Sequence, residues 1–130
     1  MFRIILFCLI LLYTTSASAI SKLLMYHNPY CSYCVKFIKE VAIDFKHDKV
    51  DLRIVVRNEE PFWFTMAINE NRIKPIRGTP TFILWDGENE IARLVGYSSK
   101  ESFYNRLNEI YPIIKDKNIS KLFDDLISYL

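Results

Sequence analysis

Cys31-Ser32-Tyr33-Cys34 sets two thiols two residues apart, between an apolar run and a stretch with helical spacing. Such a pair can cycle between dithiol and disulfide, clamp a metal, or close a structural cross-link. A structural zinc site takes four ligands. Beyond this pair the sequence has His27 and His47, and His47 has no ligand-like partner spacing, so no metal or other cofactor is expected. A disulfide across two intervening residues closes a very small loop, which removes little unfolded-state entropy and carries strain. That favours a reducible couple over a staple. Placed at a helix start, Cys31 would face unpaired backbone N–H groups and the positive end of the helix dipole. Both stabilise a thiolate and bring the thiol pKa from about 8.5 into the range of roughly 3.5–7.5. Cys31 is therefore the expected nucleophile in disulfide exchange. Cys34, one turn further in, is expected to keep a higher pKa and to resolve the mixed disulfide. His27, four residues before Cys31, is a candidate pKa modulator, because an imidazolium over the sulfur would favour the thiolate.

The flanking segments read as the elements that would hold this pair. KLLMY (22–26) is a short apolar run ending at His27-Asn28-Pro29, which predicts a strand leaving for a loop. From Cys34 onward, Val35, Ile38, Val41, Ala42 and Phe45 fall at helical spacing. VDLRIVV (50–56) reads as a strand. Glu59-Glu60-Pro61 then suits a helix start, with acids near the dipole's positive end and proline at the first helical position. The following segment, to about Asn71, is apolar almost all round, which predicts heavy burial. TFILW (81–85), Asp86-Gly87 and EIARLVGY (90–97) form a hairpin pattern, with Gly96 at a bulge or a close backbone approach. Ser98 to Glu101 matches a capping box, and Phe103, Leu107, Ile110 and Ile114 follow on one helical face, with Pro112 expected to end or kink that helix near Tyr111. Strands alternating with helices, closed by a hairpin, predict an α/β fold with a mixed central sheet and helices on both faces.

The two ends carry different signals. Arg3, the apolar run Ile4–Leu12 and Ala17-Ser18-Ala19 have the build of a signal peptide over residues 1–19, which predicts export to the periplasm or outside the cell. Its loss would remove Cys8, which Phe7 marks as no lipid-attachment site, and one basic residue of 17, leaving 16 against 15 acidic and a net charge of +1. Nucleic-acid binding has no support from that balance. Residues 20–114 are expected to form the single domain. Residues 115–130 form an extension in which Ile119, Leu122, Phe123, Leu126, Ile127 and Leu130 make an amphipathic helical stripe. The stripe either packs back on the domain or offers residues 118–130 as a homodimer or partner surface.

A last signal is Arg77-Gly78-Thr79-Pro80-Thr81-Phe82. Proline cannot donate to a central ladder, so Thr79-Pro80 before a buried strand makes sense as a cis bond in a tight turn, where the backbone could pair with an extended substrate. KLLMY, CSYC, RGTPTF and DGENEIARLVGY, in that order over about residues 22–114, resemble the thioredoxin superfamily. More closely, the sequence is similar to small periplasmic thioredoxin-like proteins, including those found with sulfur-oxidation systems. The resemblance implies a thioredoxin fold with a C-terminal helix added, and an exported thiol–disulfide oxidoreductase, most simply a reductant. In it Cys31 attacks, Cys34 resolves, and Thr79 and Pro80 face them. Ser32 and Tyr33 join Thr79 and Pro80 in contacting substrate. Its partners would be protein disulfides or dithiols and a membrane thiol-reducing electron donor. Three departures stand out. Ser-Tyr replaces Gly-Pro between the cysteines, Met25 takes the place of thioredoxin's buried aspartate, and Trp85-Asp86-Gly87-Glu88 lacks the glutathione motif of glutaredoxins. The alternatives are a non-catalytic binding module of the same fold and an iron–sulfur-binding glutaredoxin-like protein.

Overall fold

The structure is a computed structural model and describes residues 21–128; the segment 1–19 lies outside them. Its chain order is β1 (Ser21–His27), α1 (Ser32–Glu40), a 3-10 turn (Ala42–Asp44), β2 (Val50–Val56), α2 (Phe62–Asn69), β3 (Thr81–Trp85), β4 (Glu90–Val95) and α3 (Lys100–Ser128). The strands form one sheet in the order β2-β1-β3-β4. β1 and β2 are parallel, as the helical crossover between them requires, while β3 runs antiparallel to both β1 and β4.

Alternation along the two central strands divides the interior into two clusters. Leu23 and Met25 of β1 and Phe82 and Leu84 of β3 face α1 and α3, where Phe37, Phe103 and Leu107 complete the larger cluster. Leu24 of β1 and Ile83 and Trp85 of β3 point the opposite way, against Phe64, Ala67 and Ile73. Phe37 is the hub of the first cluster, with ring centroids 4.6 Å from Phe82, 5.2 Å from Tyr97 and 4.9 Å from Phe103. Of the residues expected on the inner face of α1 and its exit, Val41 is fully buried and Ile38, Ala42 and Phe45 pack against the larger cluster, whereas Val35 is only half-buried and Phe37, outside that set, is fully buried.

Other expectations also shift. α2 ends at Asn69 and buries only Phe64 and Ala67, while Phe62 is 80% exposed and Trp63 43%. Among the described residues α2 is the one helix on that face of the sheet and no layer covers it, so one stripe is buried and the remaining apolar residues face out. Pro61 is the N-cap residue of α2, and Glu60 instead accepts a hydrogen bond from Tyr26 Oη at 2.6 Å. The cap of α3 falls one residue later than expected, with Ser102 N–H donating to Ser99 Oγ at 3.2 Å. α3 continues through Pro112 as one 29-residue helix, so residues 115–128 prolong it and no separate element forms. Proline removes one i→i−4 hydrogen bond, and the helix continues on either side of the gap. Of the C-terminal stripe, Leu126 and Ile127 are 60% and 65% exposed. Leu130 and the side chains of Ile114, Ile119, Leu122 and Phe123 lie outside what is described. Among the described residues no helix is long and apolar enough to cross a membrane.

Candidate active site

Register brings the two distant motifs together. β1 and β3 are antiparallel neighbours with Tyr26 opposite Thr81, so the end of β1 and the start of β3 lie at the same edge of the sheet. The chain leaving β1 turns at once: Asn28 Oδ1 accepts from Tyr30 N–H at 3.1 Å, and Asn28 O accepts from Cys31 N–H at 3.0 Å. That turn delivers Cys31 to the N-cap of α1 in extended geometry, φ −89° and ψ 117°. The chain entering β3 is held as well. Thr81 Oγ1 donates to Gly78 O at 2.6 Å and Gly96 N–H donates to Pro80 O at 2.8 Å. Gly96 has φ +80°, and a Cβ there would meet nothing within 4 Å, so its positive φ, and no close approach, calls for glycine. The register irregularity between β3 and β4 sits at Leu84/Trp85, away from Gly96.

The Thr79–Pro80 peptide is cis. Cys31 Sγ donates to Thr79 O at 3.4 Å, which fixes the spacing between the thiol and this loop. Both cysteines are free thiols, Cys31 partly exposed and Cys34 fully buried. Burial pushes the Cys31 thiol up, but hydrogen bonds from the Thr79 side chain, from Cys34 and from the Tyr33 backbone outweigh it and leave the pKa lowered. Burial raises the Cys34 thiol, and the neighbouring Cys31 raises it further. The first proton therefore leaves Cys31, the accessible sulfur, and the second thiol stays protonated behind it. Acidity and accessibility coincide on one atom, as a nucleophile requires.

The remaining expected residues fall into place less evenly. Ser32 and Tyr33 are exposed in the first turn of α1, Tyr33 by 59%, and Pro80 is buried beneath Thr79. His27 closes β1 with Nδ1 buried and without a hydrogen-bond partner, and burial lowers its pKa and favours the neutral ring, which runs against the imidazolium expected over the sulfur. Met25 is fully buried in the cluster that contains Cys34, so no carboxylate occupies that position. Tyr30 was missed by sequence reasoning: it is 97% exposed directly before Cys31, and its aromatic ring in that place was the available signal. Among the described residues no group of three His, Cys, Asp or Glu is placed to hold a metal ion.

An acidified accessible cysteine, a protonated partner one turn behind it and a proline loop against the sulfur define a thiol–disulfide oxidoreductase site on a thioredoxin fold. A family model described as a thioredoxin-like domain matches residues 14–111, and the chain belongs to that family. It is similar to the periplasmic thioredoxin SoxS from Paracoccus pantotrophus in its reduced form, with 25% identity and a TM-score of 0.59 over 72% of this chain and 98% of that one. A thioredoxin from Aeropyrum pernix shares the fold at 17% identity and a TM-score of 0.50, over 72% of this chain and 77% of its own. A thioredoxin from Thermus thermophilus does so at 21% identity and 0.50, over 69% and 72%. No curated protein matches the chain.

Proposed function

We propose that this protein is an exported reductase of protein disulfides. The observation that carries the reading is the acidified Cys31 beside Thr79, with a buried, still protonated Cys34 behind it. The Cys31 thiolate attacks one sulfur of a substrate disulfide. One S–S bond forms, the substrate S–S bond breaks, and the departing substrate thiolate takes a proton from solvent. Cys34 then loses its proton and attacks Cys31 Sγ. This releases the second substrate thiol and leaves a Cys31–Cys34 disulfide that holds the two electrons' worth of oxidation removed from the substrate. Ser32, Tyr33 and Thr79 form the surface that an extended substrate segment meets, and the buried Pro80 sets the backbone of Thr79 behind it.

The N-terminal signal over residues 1–19 and the similarity to a periplasmic thioredoxin support export. Outside the cytoplasm the disulfide form must be returned to the dithiol, which calls for a membrane-borne thiol donor. The direct test is reduction of insulin disulfides driven by dithiothreitol. Cys31→Ser is expected to abolish it while the fold persists, and undiminished turnover in that variant would overturn the assignment of the nucleophile. The potential of the couple tests the direction. A value near about −270 mV supports a reductant, and one near about −120 mV assigns the oxidising role.

A further inference from the structure

Beside the Thr79 face of the site lies a cleft of about 170 Å³, lined by Tyr26, Arg57, Ile76, Arg77, Gly78 and Thr79. It contains two guanidiniums. Both arginines are exposed, and among the described residues neither makes an ion pair or a side-chain hydrogen bond. The acids that follow Arg57 in the chain are Glu59 and Glu60; the Glu60 carboxylate is occupied by the Tyr26 hydroxyl at 2.6 Å and feels the charge of Arg57. Its lining holds two cations and no carboxylate, so the cleft itself is positive. By contrast Arg72 is committed to Glu70 at 2.7 Å, Arg93 to Glu90 at 2.6 Å, and Arg53 to Asp51 at 2.9 Å. Arg77 stands two residues before Thr79, whose carbonyl is 3.4 Å from the reacting sulfur. A substrate whose cysteine is joined to Cys31 must therefore pass its flanking residues close to this cleft. A planar guanidinium offers paired donors that match a carboxylate.

We propose that the Arg57–Arg77 cleft is a carboxylate-binding subsite that selects protein disulfides with an acidic residue next to the reacting cysteine. The inference rests on the reductase reading and deepens it. A partly exposed ion pair contributes at most about 1 kcal/mol, which is about a fivefold preference.

The test uses the full chain and matched peptide disulfides with either Glu or Gln on both sides of the cysteine. The wild type is expected to favour the Glu peptide about fivefold in kcat/KM, and added salt is expected to narrow that ratio. In Arg57→Ala/Arg77→Ala the ratio should fall to near one, with Arg77→Gln intermediate. Arg77 has no partner to lose, so the single variant keeps the test open if the double variant folds poorly. Arg53→Ala removes the same charge from the middle of β2 and should leave the ratio as in the wild type. Equal rates for both peptides in the wild type, or an unchanged ratio in the double variant, would overturn the subsite. So would an equal loss in Arg53→Ala, which would show only the general field of the protein. A parallel pair, dithiodiglycolic acid and its diamide, separates the sources of the carboxylate. Selectivity confined to that pair overturns the peptide assignment and gives the cleft to small thiols. Failure to reduce any of the four disulfides would instead sink the reductase reading itself.

Discussion

At Cys31 the sign of the acidity is decided by competition. Burial alone would raise the thiol; donors from Thr79, Cys34 and the Tyr33 backbone reverse it. The Thr79 hydroxyl is the donor that can be removed without touching α1. Thr79→Val is therefore expected to move the pH midpoint of Cys31 alkylation upward, toward the ordinary thiol value of about 8.5. The measurement is the rate of iodoacetamide modification against pH in the reduced protein, and an unmoved midpoint would remove Thr79 from the account. In the wild type the midpoint should lie below that ordinary value, so alkylation slows as pH falls through the lowered pKa. Cys34→Ser leaves the attack intact and removes the resolving thiol, so mixed disulfides with substrates should accumulate and survive non-reducing electrophoresis. The cysteine pair and the proline loop were legible from residue types alone, since a short disulfide loop and a proline before a buried strand are both local oddities. The behaviour of His27 was not. Its neutral state follows from burial at the end of β1, and burial is a property of the packed molecule that a position in the chain does not reveal.

At the scale of elements, the site depends on segments that contain no chemistry. Phe37 joins α1 to β3 and α3 through three ring contacts and is fully buried. Phe37→Ala is expected to cost about 3–5 kcal/mol, read as a lower urea midpoint. A loss under about 1 kcal/mol would mean that α1 is held elsewhere. The approach to the proline loop is held by Glu90 and Arg93. Glu90 accepts from Lys74 N–H at 2.9 Å and from Arg93 at 2.6 Å, and Arg93 donates to the carbonyls of Lys74 and Pro75 at 2.9 and 3.1 Å. Burial would raise the Glu90 carboxyl, but the hydrogen bonds from Arg93 and Lys74 lower it on balance. A depressed folded-state pKa contributes stability that is present above the unfolded value of about 4.3 and is lost as pH falls through the folded value. Glu90→Gln should thus cost about 1–3 kcal/mol at pH 7. The gap to the wild type should close in acid, as unfolding curves at neutral pH and near pH 3 would show. A gap that stays constant with pH would place the effect in packing and not in charge. The strands and the α1–α2–α3 order could be read from periodicity, because alternation and 3.6-residue spacing survive in sequence. Phe37 as hub could not, since Val35 and Ile38 sit at spacings equally good for a helix. The exposed side of α2 was hidden for a related reason: an apolar residue in a one-layer helix looks the same in sequence as one in a two-layer core.

For the whole molecule the question is how much of α3 the thioredoxin-like domain needs. Phe103, Leu107, Ile110 and Tyr111 pack into the larger cluster, and the family match ends at residue 111. Beyond that point the described apolar side chains, Leu126 and Ile127, are exposed by 60% and 65%. A 29-residue helix spans about 44 Å at 1.5 Å per residue, of which the part through Tyr111 takes up about 18 Å. The part of the helix through Tyr111 is tied to the core, and shortening the chain measures what the rest adds. Ending the chain at Tyr111 is expected to leave unfolding cooperative and to change stability by less than about 1 kcal/mol, within the range of changes made away from a core. Insulin reduction should persist, since no part of the Cys31 site lies on α3. Collapse of the fold on truncation would show that the distal half packs back on the domain. Sedimentation of the full and shortened chains at equal concentration addresses the apolar stripe directly. Self-association that disappears with residues 112–130 would assign it to pairing of two copies.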